Sequence, residues 1–565
     1  MPAGLGSRPE VVARLALVLI VFIACLASSG SWRIYSATWD EPEHLAAGIQ
    51  LLDEGLYEYD TEHPPLARLF LAAGPYLAGA RSYGTPPPDG TQEGKDILYG
   101  GDYEEYLMLA RAGTLPFLAL LLFSTWLWAQ RLMPTRGAAL TAVALVAGLP
   151  AILGHAALAT LDIAATATML LALYAMQQWL ATARLRDALA FGLATGVAVA
   201  TKFSAIPFLG LSLPAVVAMD WVNQRREQAA RGAPGFASTH LPGLLMAVSA
   251  GIVLVLLVYT PRAPDAGGVE VRWDWAVDYL LQLRGWEHTL GVWFSHATWL
   301  PREFKDFLNG VIAVKAHNDA GHRSYLFGQM SPDGWWYFYL VALAVKTPIP
   351  LLVAAPFGLW GLARAGWRNR DGWAQAPLVL VTTILVFAST FSRINIGIRH
   401  VLILYPFLAL CASYALWQAW QAARRLPQRR LAFAATAAIA AAVLWQFSVL
   451  WRAYPDYLPY FNETVRHPER VLVDSDLDWG QDLGRLEDRI AGLKVPELTL
   501  AYLGTVDFSR EPLPPFRLLK LRQPVHGWVA ISALARVSNP PGYAWLDAYQ
   551  PLERVGKTID LYYIP

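Results

Sequence analysis

Of 565 residues, 55% are hydrophobic and only 16% are charged, a balance that excludes a large soluble enzyme and describes a polytopic membrane protein. The net charge of +1 leaves no electrostatic footprint for nucleic acid. Two cysteines, Cys25 and Cys411, both fall in apolar runs and read as buried hydrophobes rather than as a disulfide or metal pair.

The first apolar span runs from Val11 to about Gly30 and has no evident small-residue cleavage site, so it reads as a retained signal-anchor. Ten more spans follow, centred near residues 119, 146, 171, 194, 211, 251, 348, 383, 410 and 440, each about the twenty residues that cross hydrocarbon. Eleven crossings fit the arginines. Arg131 and Arg136, Arg184 and Arg186, Arg225, Arg226 and Arg231, Arg364, Arg368 and Arg370, and Arg424, Arg425, Arg429 and Arg430 all fall on one side when the N-terminus is cytoplasmic. The same parity sends residues 31–106, 261–335 and 451–565 to the outside. The expected chain is therefore an α-helical transmembrane domain, residues 1–450, with external loops 31–106 and 261–335. An extracytoplasmic domain, residues 451–565, follows it.

Loop 31–106 mixes a helical pattern from Glu43 to Leu52, a turn at Pro86-Pro87-Pro88 and a helix start near Tyr103. In 451–565 the apolar residues come in short runs, at Arg470–Val473, Leu498–Tyr502 and Gly527–Ile531, with an amphipathic stretch from Gln481 to Leu493. This predicts a small α/β domain.

Chemistry concentrates where the first span ends, at Trp39-Asp40-Glu41-Pro42-Glu43-His44. Acids followed by proline open a helix, which accounts for them as a cap. It does not account for two carboxylates at a membrane interface beside a bulky tryptophan, where charge is costly unless used. A desolvated carboxylate there can take a proton from a hydroxyl. About twenty residues on, His63-Pro64-Pro65-Leu66-Ala67-Arg68 adds a histidine, a rigid turn and a cation. Asp162 opens the fourth span, as a helix cap or as a second site carboxylate. Arg111, Lys202, Arg393, Arg399 and His400 lie at outer depth; Arg111 and the deeper Lys346 sit within spans and need buried partners.

These stretches resemble the protein O-mannosyltransferase-like branch of the C-type glycosyltransferases, which includes bacterial lipid A aminoarabinose transferases. The residues that carry the likeness are Asp40-Glu41 after span one, His63-Pro64-Pro65-Leu66 with Arg68, Arg111, Leu161-Asp162, and Thr201-Lys202-Phe203. Arg68 stands where the mannosyltransferases usually carry lysine, which alters the geometry of any phosphate contact. The segment Asp474-Ser475-Asp476-Leu477-Asp478-Trp479-Gly480-Gln481-Asp482 resembles an extension of bacterial members, so eukaryotic protein O-mannosylation is not implied.

The resemblance implies the C-type fold and a plasma (inner) membrane enzyme. Such an enzyme would move a sugar from a polyprenyl phosphate to a hydroxyl of a protein, lipid or glycan acceptor. Asp40, Glu41 and Asp162 are then the catalytic candidates, with Asp40 the base of an inverting attack. Arg68, Arg111, Lys202 and Arg399 are the candidates for the donor phosphate, and His63, His317 and Lys346 are further candidates. Because the leaving group is a phosphate, no general acid is needed. The loop Lys315–Arg323 offers His317 and His322, which could join Glu41 around a divalent metal ion, although their spacing matches no firm motif. Asp474, Asp476 and Asp478 match the start of a calcium loop, but Trp479 and Arg485 occupy its glycine and glutamate positions. A transporter or flippase, or a non-catalytic envelope-assembly protein, is the rival reading. Long external loops and the absence of a repeat argue against the transporter.

Overall fold

The computed structural model describes residues 8–87, 89–231, 236–260, 273–297 and 299–565. Residues 261–272 of the second external segment and the side chains of Arg225, Arg226 and Arg231 lie outside them.

Among the described residues, eight helices are long and apolar enough to cross a membrane: Pro9–Ser29, Tyr103–Leu132, Asp162–Thr182, Ala205–Asn223, Thr239–Tyr259, Ile349–Asn369, Gly372–Thr390 and Arg429–Ala453. Arg136–Ala147 and Pro150–Ala156, bent by 58° at their junction, make a ninth if taken as one span. The expected eleven is not reached by this measure. Two remaining centres fall on helices outside the set: Leu185–Thr201 has only 17 residues, and Leu404–Arg424 carries Gln418 and Gln421 among its tryptophans. The centre expected near 348 lies on a break, because one helix ends at Lys346 and the next begins at Ile349, with Pro348 between them.

Helix Asp162–Thr182 is almost wholly buried and packs against Leu115–Leu132 and Leu185–Thr201. Pro9–Ser29, Thr239–Tyr259 and Arg429–Ala453 instead expose Phe22, Leu257 and Phe433 along their outer faces. An apolar outside around a small-residue inside is the pattern lipid selects.

The first external segment folds onto this bundle. Helix Glu41–Asp53 is buried along most of its length, and Pro42 sits in its first turn. Helix Pro65–Leu77 begins at the Pro-Pro pair, where a missing N–H costs nothing. Helix Gly90–Gly100 crosses the first at Gly94, whose absent Cβ would run into the Pro42 carbonyl. The second segment supplies helices Trp273–Gln282, Trp286–His296 and Arg302–Ala320, then a hairpin of β1 (Ser324–Leu326) and β2 (Gln329–Ser331).

Beyond Ala453 the chain forms a five-stranded sheet in the order β4-β3-β5-β7-β6, from β3 (Leu498–Ala501), β4 (Phe516–Leu518), β5 (Gly527–Ser532), β6 (Glu553–Val555) and β7 (Ile559–Ile564). β3 runs parallel to β4 and β5, while β7 is antiparallel to β5 and β6. Alternation sorts the two faces: Leu498, Leu500 and Ala530 pack under helix Leu483–Gly492, and Val529 and Ile531 face Leu546. The run Arg470–Val473, expected as a strand, is instead a turn between two short 3-10 segments.

Candidate active site

A cavity of about 1650 Å3 opens between the first external segment, helix Arg302–Ala320, the loop before Arg399 and the C-terminal unit. Its walls include Asp40, His63, Lys202, His317, Arg399 and Trp479. The lining also holds apolar Ile206, Phe208 and Phe387, the last two in edge-to-face ring contact.

Asp40 sits at the N-cap of helix Glu41–Asp53, but its side chain makes no capping bond. Its carboxylate accepts instead from Arg399 Nη1 at 2.5 Å. The same Arg399 nitrogen lies 3.9 Å from Asp162, and Lys202 Nζ donates to Asp162 at 2.6 Å. Two carboxylates and two cations thus alternate, with Asp40, Arg399 and Lys202 on the cavity wall and Asp162 buried behind them. Arg399 Nε is buried and has no hydrogen-bond partner among the described residues. Burial works against the charge of Arg399, but Asp40 and Asp162 outweigh it and hold its pKa above the ordinary value. Asp162 is buried and does not line the large cavity; the geometry makes it the anchor of Lys202 and Arg399.

Four of the expected site residues are engaged elsewhere in the fold. Glu41 is buried and forms a two-pronged pair with Arg111, at 2.8 Å to both Nε and Nη2, and also accepts from the Thr38 and Ala159 amides. Arg111 spends its remaining donors on the carbonyls of Trp32, Tyr35 and Ser36. It has no N–H left for a phosphate, and Glu41 has no free edge for a substrate or a metal. Arg68 is likewise fully buried. It donates to the Asp60 carboxylate, the Asp60 carbonyl (2.7 Å) and Tyr57 (2.6 Å), and reaches His44 Nδ1. Burial first, then Arg68, keeps His44 well below the ordinary histidine range, so a neutral ring can accept. Lys346, one of the further candidates, is engaged too: its ammonium is buried on the carbonyls of Leu458 (2.8 Å) and Asp476 (2.6 Å).

His63 lines the cavity 2.9 Å from Asp60, with its pKa lowered to about 4 chiefly by burial, then by Lys202. His317 reaches Glu62 at 2.8 Å and His322 at 3.3 Å. Among the described residues no group of three or more potential ligands is arranged to hold a metal. With Glu41 committed to Arg111, it is not available to join His317 and His322 around a metal ion. The three aspartates of the C-terminal motif diverge too: Asp476 accepts from the Ile398 amide, Asp478 from Leu534 and Gly480.

Sequence reading passed over Glu43, Asp60 and Glu62, all on the cavity wall, and gave Trp479 no role. The signal for Asp60 was its spacing of three from His63 and eight from Arg68. Trp479 lies more than 400 residues from Asp40, beyond any local pattern.

The fold and cavity define a polytopic helical membrane protein with a charged site at one end of its bundle. Residues 49–233, about a third of the chain, match the family model described as dolichyl-phosphate-mannose-protein mannosyltransferase. That stretch contains His63, Asp162 and Lys202 and stops short of Asp40 and Arg399. No curated protein matches the chain. Among solved structures, apo ArnT from Cupriavidus metallidurans aligns over 97% of this chain and 98% of its own, at 16% identity and a TM-score of 0.47. The oligosaccharyltransferase AglB from Archaeoglobus fulgidus aligns over 77% of this chain at 14% identity and a TM-score of 0.45. The present chain spans 55% of that protein's length. The Pmt1-Pmt2 complex of S. cerevisiae aligns over 44% of this chain and 33% of its own, at 16% identity and a TM-score of 0.33.

Proposed function

We propose that this protein is a membrane glycosyltransferase. It takes a sugar from a polyprenyl-phosphate donor and passes it, with inversion, to an acceptor hydroxyl at the non-cytoplasmic face. The observation that carries this reading is the Asp40–Arg399–Asp162–Lys202 array, three of whose members line a cavity that charged and apolar side chains share.

The donor phosphate sits between Lys202 and Arg399, both of which line the cavity, and the lipid tail runs along the apolar lining residues Phe208 and Phe387. The two cations offset the charge that grows on the phosphate as the glycosidic bond breaks. Once the phosphate shares Arg399, Asp40 is less tightly held and accepts the proton of the attacking hydroxyl. The acceptor is a protein, lipid or glycan, and residues 1–450 form the catalytic domain beneath the extracytoplasmic unit 451–565.

The test is transfer from a radiolabelled polyprenyl-phosphate sugar by the purified full-length protein. An enzyme releases the lipid phosphate and labels an acceptor; a transporter or scaffold does neither. Asp40→Asn is expected to lower transfer by about 10²–10⁴-fold while the protein still binds undecaprenyl phosphate. Near-parental transfer by that variant removes Asp40 as the base.

A further inference from the structure

The stretch Asp474–Gln481 leaves the C-terminal unit and enters the cavity wall beside Arg399. Ser475 Oγ donates to the Ile396 carbonyl at 2.5 Å, and the Ile398 amide donates to Asp476 at 3.1 Å. Gly397 lies between them with φ of +144°, and a Cβ there would strike Ser475 Oγ. The backbone just before Arg399 is therefore gripped from the C-terminal side, and Lys346 pins the gripping loop through the Asp476 carbonyl.

Trp479 then meets the side chain. Its ring lies 4.4 Å from Arg399 Cζ. The indole is buried among Tyr35, Leu158 and Leu458. Its backbone carbonyl accepts from the Trp39 amide at 3.1 Å, one residue before Asp40, and Gln481 Oε1 holds its own N–H. A guanidinium tied at one nitrogen can swing about that bond. A ring against its face fixes that plane while Arg399 still lines the cavity.

We propose that Trp479 is a positioning residue for Arg399, so that the C-terminal unit completes the donor-phosphate site. This rests on the reading of Arg399 as a phosphate contact. The cation–π contact holds the guanidinium in the orientation the phosphate needs, and the Trp39–Trp479 backbone bond keeps Asp40 in register with it.

The experiment measures undecaprenyl phosphate binding to full-length protein in lipid nanodiscs, together with the unfolding midpoint. Trp479→Tyr, Trp479→Phe and Trp479→Leu are compared, each alone and with Arg399→Ala. Affinity is expected to fall from Trp to Tyr and Phe and furthest at Leu, by roughly three- to thirtyfold, with the aromatic variants recovering part of the loss. In the Arg399→Ala background the same changes are expected to have no further effect. The Tyr and Phe variants carry the test if Trp479→Leu does not fold. Affinity that is the same in the Tyr, Phe and parental proteins overturns the proposal, as does a Trp479 effect that persists without Arg399. Parental affinity in Arg399→Ala alone removes the donor-site reading beneath it.

Discussion

At the scale of single residues, charge types were legible and pairings were not. Asp40, Lys202 and Arg399 stand out in sequence as charges at outer depth, and the structure gathers them around one cavity. Arg68 and Arg111 look the same in sequence but end up buried, because each finds a carboxylate in the folded first segment. The difference matters energetically. Removing one member of a buried pair strands the other charge, at a cost of about 3–5 kcal/mol. Arg111→Met and Glu41→Gln are therefore expected to lower the thermal unfolding midpoint by several degrees and to reduce expression. Lys202→Ala, whose ammonium is partly exposed to the cavity, is expected to impair transfer with a smaller change in midpoint. The double variant Glu41→Leu/Arg111→Leu recovers only part of the loss, since the carbonyls of Trp32, Tyr35 and Ser36 and the Ala159 amide stay buried without their partners.

At the scale of elements, periodicity found helix Glu41–Asp53, the helix from Tyr103, helix Leu483–Gly492 and strands β3 and β5, because each has an amphipathic or alternating face. Helix Pro65–Leu77 escaped notice because two prolines read as a break when the second is well placed at a first helical turn. Strand β7 pairs on both sides within the sheet, and that pairing has no local signature at Ile559–Ile564. The ion pair between His317 on helix Arg302–Ala320 and Glu62 in the first segment was equally invisible, for it joins residues 255 apart. Its hydrogen bond to Glu62 raises the pKa of His317 above the ordinary 6.5. A raised folded-state value means the pair's stabilisation is complete below 6.5 and fades as pH climbs through the raised value. Both side chains are about a third exposed, so the contribution is well under about 1 kcal/mol. His317→Gln is expected to unfold slightly earlier than the parent in mildly acidic buffer, and the two curves should converge in alkaline buffer. A gap that widened with pH would contradict the pairing.

At the scale of the whole molecule, sidedness decides whether the cavity faces the compartment that holds an acceptor. Arg364, Arg368 and Arg370 cluster around the junction of helices Ile349–Asn369 and Gly372–Thr390, and Arg424, Arg429 and Arg430 lie at the ends of the next two. Short arginine-bearing connections of this kind stay in the cytoplasm. On the proposed orientation, helix Arg429–Ala453 would cross the bilayer from there and carry the C-terminal sheet, with the cavity wall it forms, to the opposite face. Two engineered thiols test this. Ser509 and Asn369 are both exposed, one in the C-terminal unit and one at the arginine-bearing junction, while native Cys411 is buried and Cys25 lies within the first span. Ser509→Cys is expected to react with a membrane-impermeant maleimide in intact cells, and Asn369→Cys only after permeabilisation. The reverse pattern would turn the cavity to the cytoplasm. Asp40 and Arg399 would keep their geometry there, but transfer to an acceptor on the outer face would be excluded.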